Sequence, residues 1–253
     1  MSETNTRTAL VTGANKGIGF ETARLLGREG MTVLVGSRDT GRGTEAARAL
    51  EKEGIDAHPL EIDVTDAAGV AAAAERVERE HGRLDVLVNN AGVALGRGAP
   101  GETDLAAFRE VLEVNLLGPV AVTDAFLGLL RRSPAPRVVN VSSEIGSIGL
   151  LNDPRSPFFG MLGGVPYPAS KAALNMATTL YARALADTGA KVNAANPGYC
   201  ATDLNGNSGP RTAEQGARVV LHLATLPGDG PTGVLWGHLA GAPDPDAHGV
   251  LPW

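Results

Sequence analysis

In the run Tyr167-Pro168-Ala169-Ser170-Lys171, a phenol and an ammonium stand four positions apart. Residues at i and i+4 share one face of a helix, a turn from each other. Pro168 suits the first turn of such a helix, where its missing N–H has no partner to lose. A phenol ordinarily titrates near ~10. An ammonium about 4 Å away, at an effective dielectric of about 20, favours phenolate by roughly 4 kcal/mol. The spacing therefore predicts a tyrosine that moves a proton near neutral pH, with Lys171 lowering its pKa. Ser142 and Ser143 close the apolar run Arg137–Val141. Either hydroxyl could hold a substrate carbonyl beside the phenol; serines after a strand also cap helices. Asn115 lies within a long helical stretch, where an amide side chain is unfavourable unless it does something specific.

These groups need elements to hold them. Short apolar runs at 8–11, 31–35, 57–62, 84–88, 137–141 and 191–195, with a last one near Val234-Leu235, read as buried strands. Helical patterns fall between them, at about 17–29, 41–53, 67–81, 105–131, 167–188 and 212–224, with Gly118-Pro119 expected to bend or restart the long one. Strands alternating with helices predict a parallel sheet of about seven strands, covered on both faces, in one doubly wound α/β domain over 1–253. Residues 1–7 read as a frayed tail, and the Pro-, Asp- and Gly-rich stretch Gly241–Trp253 as an extended tail anchored by Trp253. In this architecture ligands sit beyond the carboxyl ends of the strands.

The loop after the first strand is Thr12-Gly13-Ala14-Asn15-Lys16-Gly17-Ile18-Gly19. Gly13 allows a tight turn, Gly17 a close approach to a phosphate and Gly19 close packing of helix on sheet, the Rossmann-type arrangement. The helix that follows offers free N–H groups and a positive dipole end to a pyrophosphate. At the end of the second strand an NAD site usually carries a carboxylate. Here Gly36-Ser37 is followed by Arg38, whose planar fork suits a 2′-phosphate, with Lys16 as a second positive charge. NADP(H) is therefore the expected cofactor, with Asp39 the nearest argument against it. Asp63-Val64 is placed to meet an adenine amino group or, equally, to cap the next helix. Asn90, Ala91 and Gly92 follow the fourth strand and offer a floor for the cofactor, while Pro197, Gly198 and Thr202 follow the sixth, near the nicotinamide.

Composition narrows the field. A formal net charge of −6 with scattered Arg and Lys argues against a nucleic-acid partner. No apolar stretch is expected to span a membrane, and the polar start lacks the look of a signal peptide. With Cys200 as its one cysteine, the chain has no internal disulfide, and its five histidines share no ligand spacing, so no metal is expected. Cys200 reads as a small buried filler. The chain reads as cytoplasmic.

In these motifs and their order, the chain resembles the short-chain dehydrogenases/reductases over nearly its whole length. Thr12–Gly19, Asn89-Asn90-Ala91-Gly92 and Tyr167–Lys171 carry the resemblance, and Gly13–Phe20, Val139–Ser143 and Thr212–Pro227 resemble the NADPH-dependent carbonyl reductases within it. The resemblance implies a tetrad of Asn115, Ser143, Tyr167 and Lys171. Tyr167 would be the general acid, Ser143 would orient the substrate oxygen, Lys171 would lower the phenol's pKa and hold the nicotinamide ribose, and Asn115 would anchor a proton-relaying water. Tyr167 and Lys171 thus also count among the cofactor-binding residues. The implied reaction is reduction of a ketone or aldehyde. The alternatives are an alcohol dehydrogenase running oxidatively and a non-catalytic dinucleotide sensor. Ser143 and Tyr167 are separated by more residues than in many family members, so about 147–165 reads as an insertion, whose Phe158, Phe159 and Met161 either line an apolar pocket or pack locally on the surface. The same insertion favours a monomer or dimer over a tetramer.

Overall fold

A computed structural model describes residues 6–253 apart from 97, 162 and 245. In chain order the elements are β1 (Thr8–Val11), α1 (Gly17–Arg28), β2 (Thr32–Ser37), α2 (Thr40–Glu51), β3 (Ala57–Glu61), α3 (Ala67–His81), β4 (Val86–Asn89), α4 (Leu105–Leu112), α5 (Gly118–Leu130) and β5 (Arg137–Val141). They continue with α6 (Ile148–Asn152), α7 (Pro166–Ala184), β6 (Lys191–Asn196), α8 (Ala213–Ala224), β7 (Leu235–His238) and β8 (His248–Leu251). The strands form one eight-stranded sheet in the order β3-β2-β1-β4-β5-β6-β7-β8. β1 to β7 pair in parallel, and β8 runs antiparallel to β7.

The two-residue period of a strand sorts the core into two layers. Ala9 and Val11 of β1 pack with Ala23 and Leu26 of α1, Leu50 of α2 and Val219 and Leu223 of α8. Leu10, between them, packs on the other face with Val77 of α3, Phe126 of α5 and Ala182 of α7. Phe126 is fully buried, and truncating such a ring typically costs about 3–5 kcal/mol. A buried polar ladder pins the second layer in register. Asn89 Nδ2 donates to Thr123 of α5 and to Asn140 of β5, and Asn140 Nδ2 donates to Thr178 of α7.

Four details differ from the sequence expectations. The long helix is irregular at a π-helical turn, Glu113–Leu117, just before Gly118-Pro119, and this turn carries Asn115. Leu105–Leu130 is long enough, and apolar enough over part of its length, to pass for a membrane span by length and composition, contrary to expectation. Its buried residues, Val111, Val122 and Phe126 among them, face the protein's own core. The start is held as early as Arg7, whose carbonyl accepts from Thr32 N–H and whose guanidinium donates to Ala224 O, so the expected tail stops short of it; residues 1–5 lie outside the described residues. The C-terminal stretch forms β8 and is anchored by buried Leu251, while Trp253 is 40% exposed and holds on by its backbone, its carbonyl accepting from Gly149 N–H.

Candidate active site

A cleft of about 1040 Å³ opens over the carboxyl ends of the central strands. Of the site residues expected from the sequence, all but Asn115 line it.

At one end the chain turns from β1 through Gly13 (φ +64) and Gly17 (φ +60) into α1. A Cβ on Gly19 would press into Asn90 Nδ2 and stand 2.6 Å from Gly13 O, so only a glycine lets the helix pack here. Asn90 in turn fixes the loop, its Nδ2 donating to Thr12 O at 2.9 Å and Gly13 O at 3.2 Å. The first N–H groups of a helix lack partners within it. Asp39, Asp66, Asp104 and Thr212 cap α2, α3, α4 and α8 with their side chains. No side chain caps α1, whose start faces the cleft. That uncapped, glycine-lined end fits a dinucleotide's pyrophosphate.

Arg38 is exposed on the cleft wall. Asp39, the residue that argued for NAD, is committed elsewhere, accepting from Arg42 N–H at 3.0 Å as the α2 cap. Lys16, also on the cleft wall, pairs with Asp203 at 2.6 Å, both side chains being more than half exposed. Asp63 accepts from Thr65 N–H and Oγ1, and the backbone bond above all holds its carboxyl below the usual range. Asp63 thus closes a turn on Thr65 ahead of α3, whose cap is Asp66.

At the other end, Ser143, Tyr167 and Lys171 meet. Burial pushes the Tyr167 phenol up to about 12, with Glu144's charge adding and a hydrogen bond from Ser143 opposing. Burial alone pushes the Lys171 ammonium down to about 8. The expectation that Lys171 lowers the phenol's pKa is not met in this structure. Lys171 Nζ lies 5.5 Å from the Tyr167 ring centroid and donates to Val141 O at 2.8 Å. Burial disfavours the charged form of each, and neither group is among the causes that shift the other.

The two serines are clearly distinguished. Ser142 is buried and donates to Asn175 Oδ1 at 2.6 Å, whereas Ser143 faces Tyr167. Asn115 sits behind the cleft and is fully buried. Its Oδ1 accepts from Val93 N–H, and its Nδ2 donates to Val93 O and Ser170 Oγ. It thereby ties the segment after β4 to α7 one residue before Lys171. The inserted region forms α6 and a series of turns; Phe158 and Met161 line the cleft, and Phe159, at 55% exposure, does not. Cys200 is buried, and burial pushes its thiol up to about 11, consistent with a filler.

Sequence reading missed Asn196 and Glu144. Asn196 is 1% exposed and fully bonded: Oδ1 accepts from Glu144 N–H and Gly198 N–H, while Nδ2 donates to Glu144 Oε2 and to His238 O. It locks the serine loop to the Pro197-Gly198 loop. The available signal was an amide ending an apolar strand immediately before Pro197-Gly198.

The short chain dehydrogenase family model matches residues 7–213. A (+)-neomenthol dehydrogenase of Capsicum annuum is 32% identical, with 92% of this chain and 96% of that protein covered. A (−)-isopiperitenone reductase of Mentha piperita is 34% identical, covering 90% and 95%. Among solved structures, salutaridine reductase from Papaver somniferum superposes with a TM-score of 0.78 at 29% identity, over 90% of this chain and 99% of that one. A gluconate 5-dehydrogenase from Burkholderia cenocepacia, in complex with NADP and tartrate, gives 0.80 at 26% identity over 91% and 92%.

Proposed function

From the premise that this chain belongs to the short chain dehydrogenase family, we propose that it reduces a ketone or aldehyde to the alcohol with NADPH. The observation that carries this reading is the meeting of Ser143, Tyr167 and Lys171 in the cleft whose far end is the uncapped start of α1. Gly13, Gly17 and the first amides of α1 would hold the pyrophosphate, and Arg38 a 2′-phosphate. The NADP bound to the gluconate 5-dehydrogenase neighbour supports that cofactor. When bound, the dinucleotide supplies the hydride.

Ser143 would donate a hydrogen bond to the substrate oxygen, and Tyr167 would pass its proton to that oxygen as negative charge develops there. Lys171 would hold the cofactor's ribose and, while charged, would favour the phenolate left once Tyr167 has given up its proton, and Asn115 would fix the start of α7. The protonation state of the phenol favours the reductive reading. A phenol at about 12 keeps its proton at neutral pH, the state that reduction needs, whereas alcohol oxidation needs phenolate. The oxidative reading draws on the dehydrogenase names among the relatives. The test follows NADPH consumption with a panel of ketones and aldehydes, with the alcohols and NADP run in parallel. Turnover of a carbonyl supports the proposal; tight NADPH binding with no turnover of any carbonyl or alcohol contradicts it and favours a sensor.

A further inference from the structure

Glu144 follows Ser143 directly and lines the same cleft, yet the proposed reaction assigns it no task. It is 6% exposed. A buried carboxylate is costly unless it is bonded. One of its oxygens is bonded: Oε2 accepts from Asn196 Nδ2 at 2.7 Å. The backbone joins the same clasp, Glu144 N–H donating to Asn196 Oδ1 at 3.1 Å. Oε1 has no hydrogen bond within the described residues and is not sealed from solvent. An anchored acid with one idle acceptor oxygen, beside the hydroxyls expected to hold a carbonyl, is built to take a hydrogen-bond donor. Burial pushes the Glu144 acid up, while Asn196 and the charge of Arg211 draw it back.

We propose that Glu144 is a specificity-determining residue that accepts a hydrogen bond from a hydroxyl or ammonium carried near the substrate's carbonyl. The inference rests on the reductase reading and names the substrate class for that site: carbonyl compounds bearing such a donor. The Phe158 and Met161 walls would meet the substrate's apolar part.

The test compares kcat/KM for isosteric pairs in the wild type and in Glu144→Gln. 2-Hydroxyacetophenone is set against propiophenone, 3-hydroxypropiophenone against butyrophenone, and 2-aminoacetophenone serves as the ammonium arm. In the variant the Gln carbonyl keeps the bond from Asn196, so its NH₂ faces the cleft; an ammonium cannot pair with that donor, and a hydroxyl can only turn to accept from it, a neutral bond in place of a charged one. The hydroxyl-to-methyl ratio should fall about tenfold or more, the range of a hydrogen bond to a charged group. A purely structural role for Glu144 would lower both members of a pair together and leave the ratio alone. Ratios within about twofold of the wild type for every pair overturn the inference while leaving the reductase reading in place. No turnover of any probe by the wild type overturns the reductase reading and the inference with it. If Glu144→Gln does not fold, wild-type inhibition decides. 1-Phenyl-1,2-ethanediol should inhibit at a concentration about tenfold lower than 1-phenyl-1-propanol, and equal inhibition overturns the inference.

Discussion

Lys171 gives the pH profile a specific shape. The residue is 4% exposed, and burial brings its ammonium from an ordinary 10.5 to about 8, a penalty of about 3 kcal/mol on the charged form. Tyr167, at about 12, does not titrate in the same range. If the charge of Lys171 assists proton delivery, kcat/KM for carbonyl reduction should fall as pH rises through about 8. The charged fraction drops from about 0.9 at pH 7 to about 0.1 at pH 9, so the rate should fall roughly tenfold over that interval. Lys171→Met should be slower at pH 7 and flat between pH 7 and 9. Stability should move the other way: a lysine whose folded pKa lies below its unfolded value holds fewer protons when folded, so its contribution to stability rises between pH ~8 and ~10.5. The assay is initial-rate kinetics across pH, with thermal melts at the same pH values. A wild-type profile flat to pH 10, or a falling limb that survives in Lys171→Met, would refute the reasoning.

Three further outcomes follow. Arg38→Asp replaces a cation on the cleft wall with an anion and should lower the NADPH-over-NADH ratio of kcat/KM by about tenfold or more, the loss of one charge-assisted bond; an unchanged ratio refutes the NADP assignment. Gly19→Ala drives a methyl toward Asn90 Nδ2 and Gly13 O and should weaken dinucleotide binding at least tenfold by calorimetry, with about 1–3 kcal/mol lost in stability; wild-type binding would show the loop to be more yielding than its packing implies. Asn196→Ala strips four hydrogen bonds and leaves Glu144 Oε2 buried without its partner. It should cost about 3 kcal/mol, read as a melting temperature roughly 6–12 °C lower, and an unchanged melt would show the clasp to be redundant.

The frame was largely legible because parallel strands buried on both faces write themselves as apolar runs: in β1, Ala9 and Val11 serve one layer and Leu10 the other. The glycine loop was legible because its requirements are local: two turns with positive φ and one close packing contact. What escaped depends on distant partners. β8 is the run His248-Gly249-Val250-Leu251, which has no strong pattern of its own and becomes a strand because β7 offers an edge. The direction of the Tyr167 pKa escaped because a spacing of four fixes which face two side chains share, and not where the longer one points; Val141 O, thirty residues back in sequence, captures the Lys171 ammonium. The Glu144–Asn196 clasp spans 52 residues, beyond any periodicity argument. Asn115 was noticed for being out of place in a helix, and the π-helical turn that seats it appears only once Val93 and Ser170 are in position.

The central claim is that the Tyr167 phenol delivers the proton to a carbonyl oxygen. The most direct measurement is single-turnover carbonyl reduction by Tyr167→Phe with NADPH pre-bound, its affinity measured separately. Loss of a positioned general acid should lower the rate about 10²–10⁴-fold, with NADPH still bound. A Tyr167→Phe protein that reduces the same carbonyl at the wild-type rate would contradict the account.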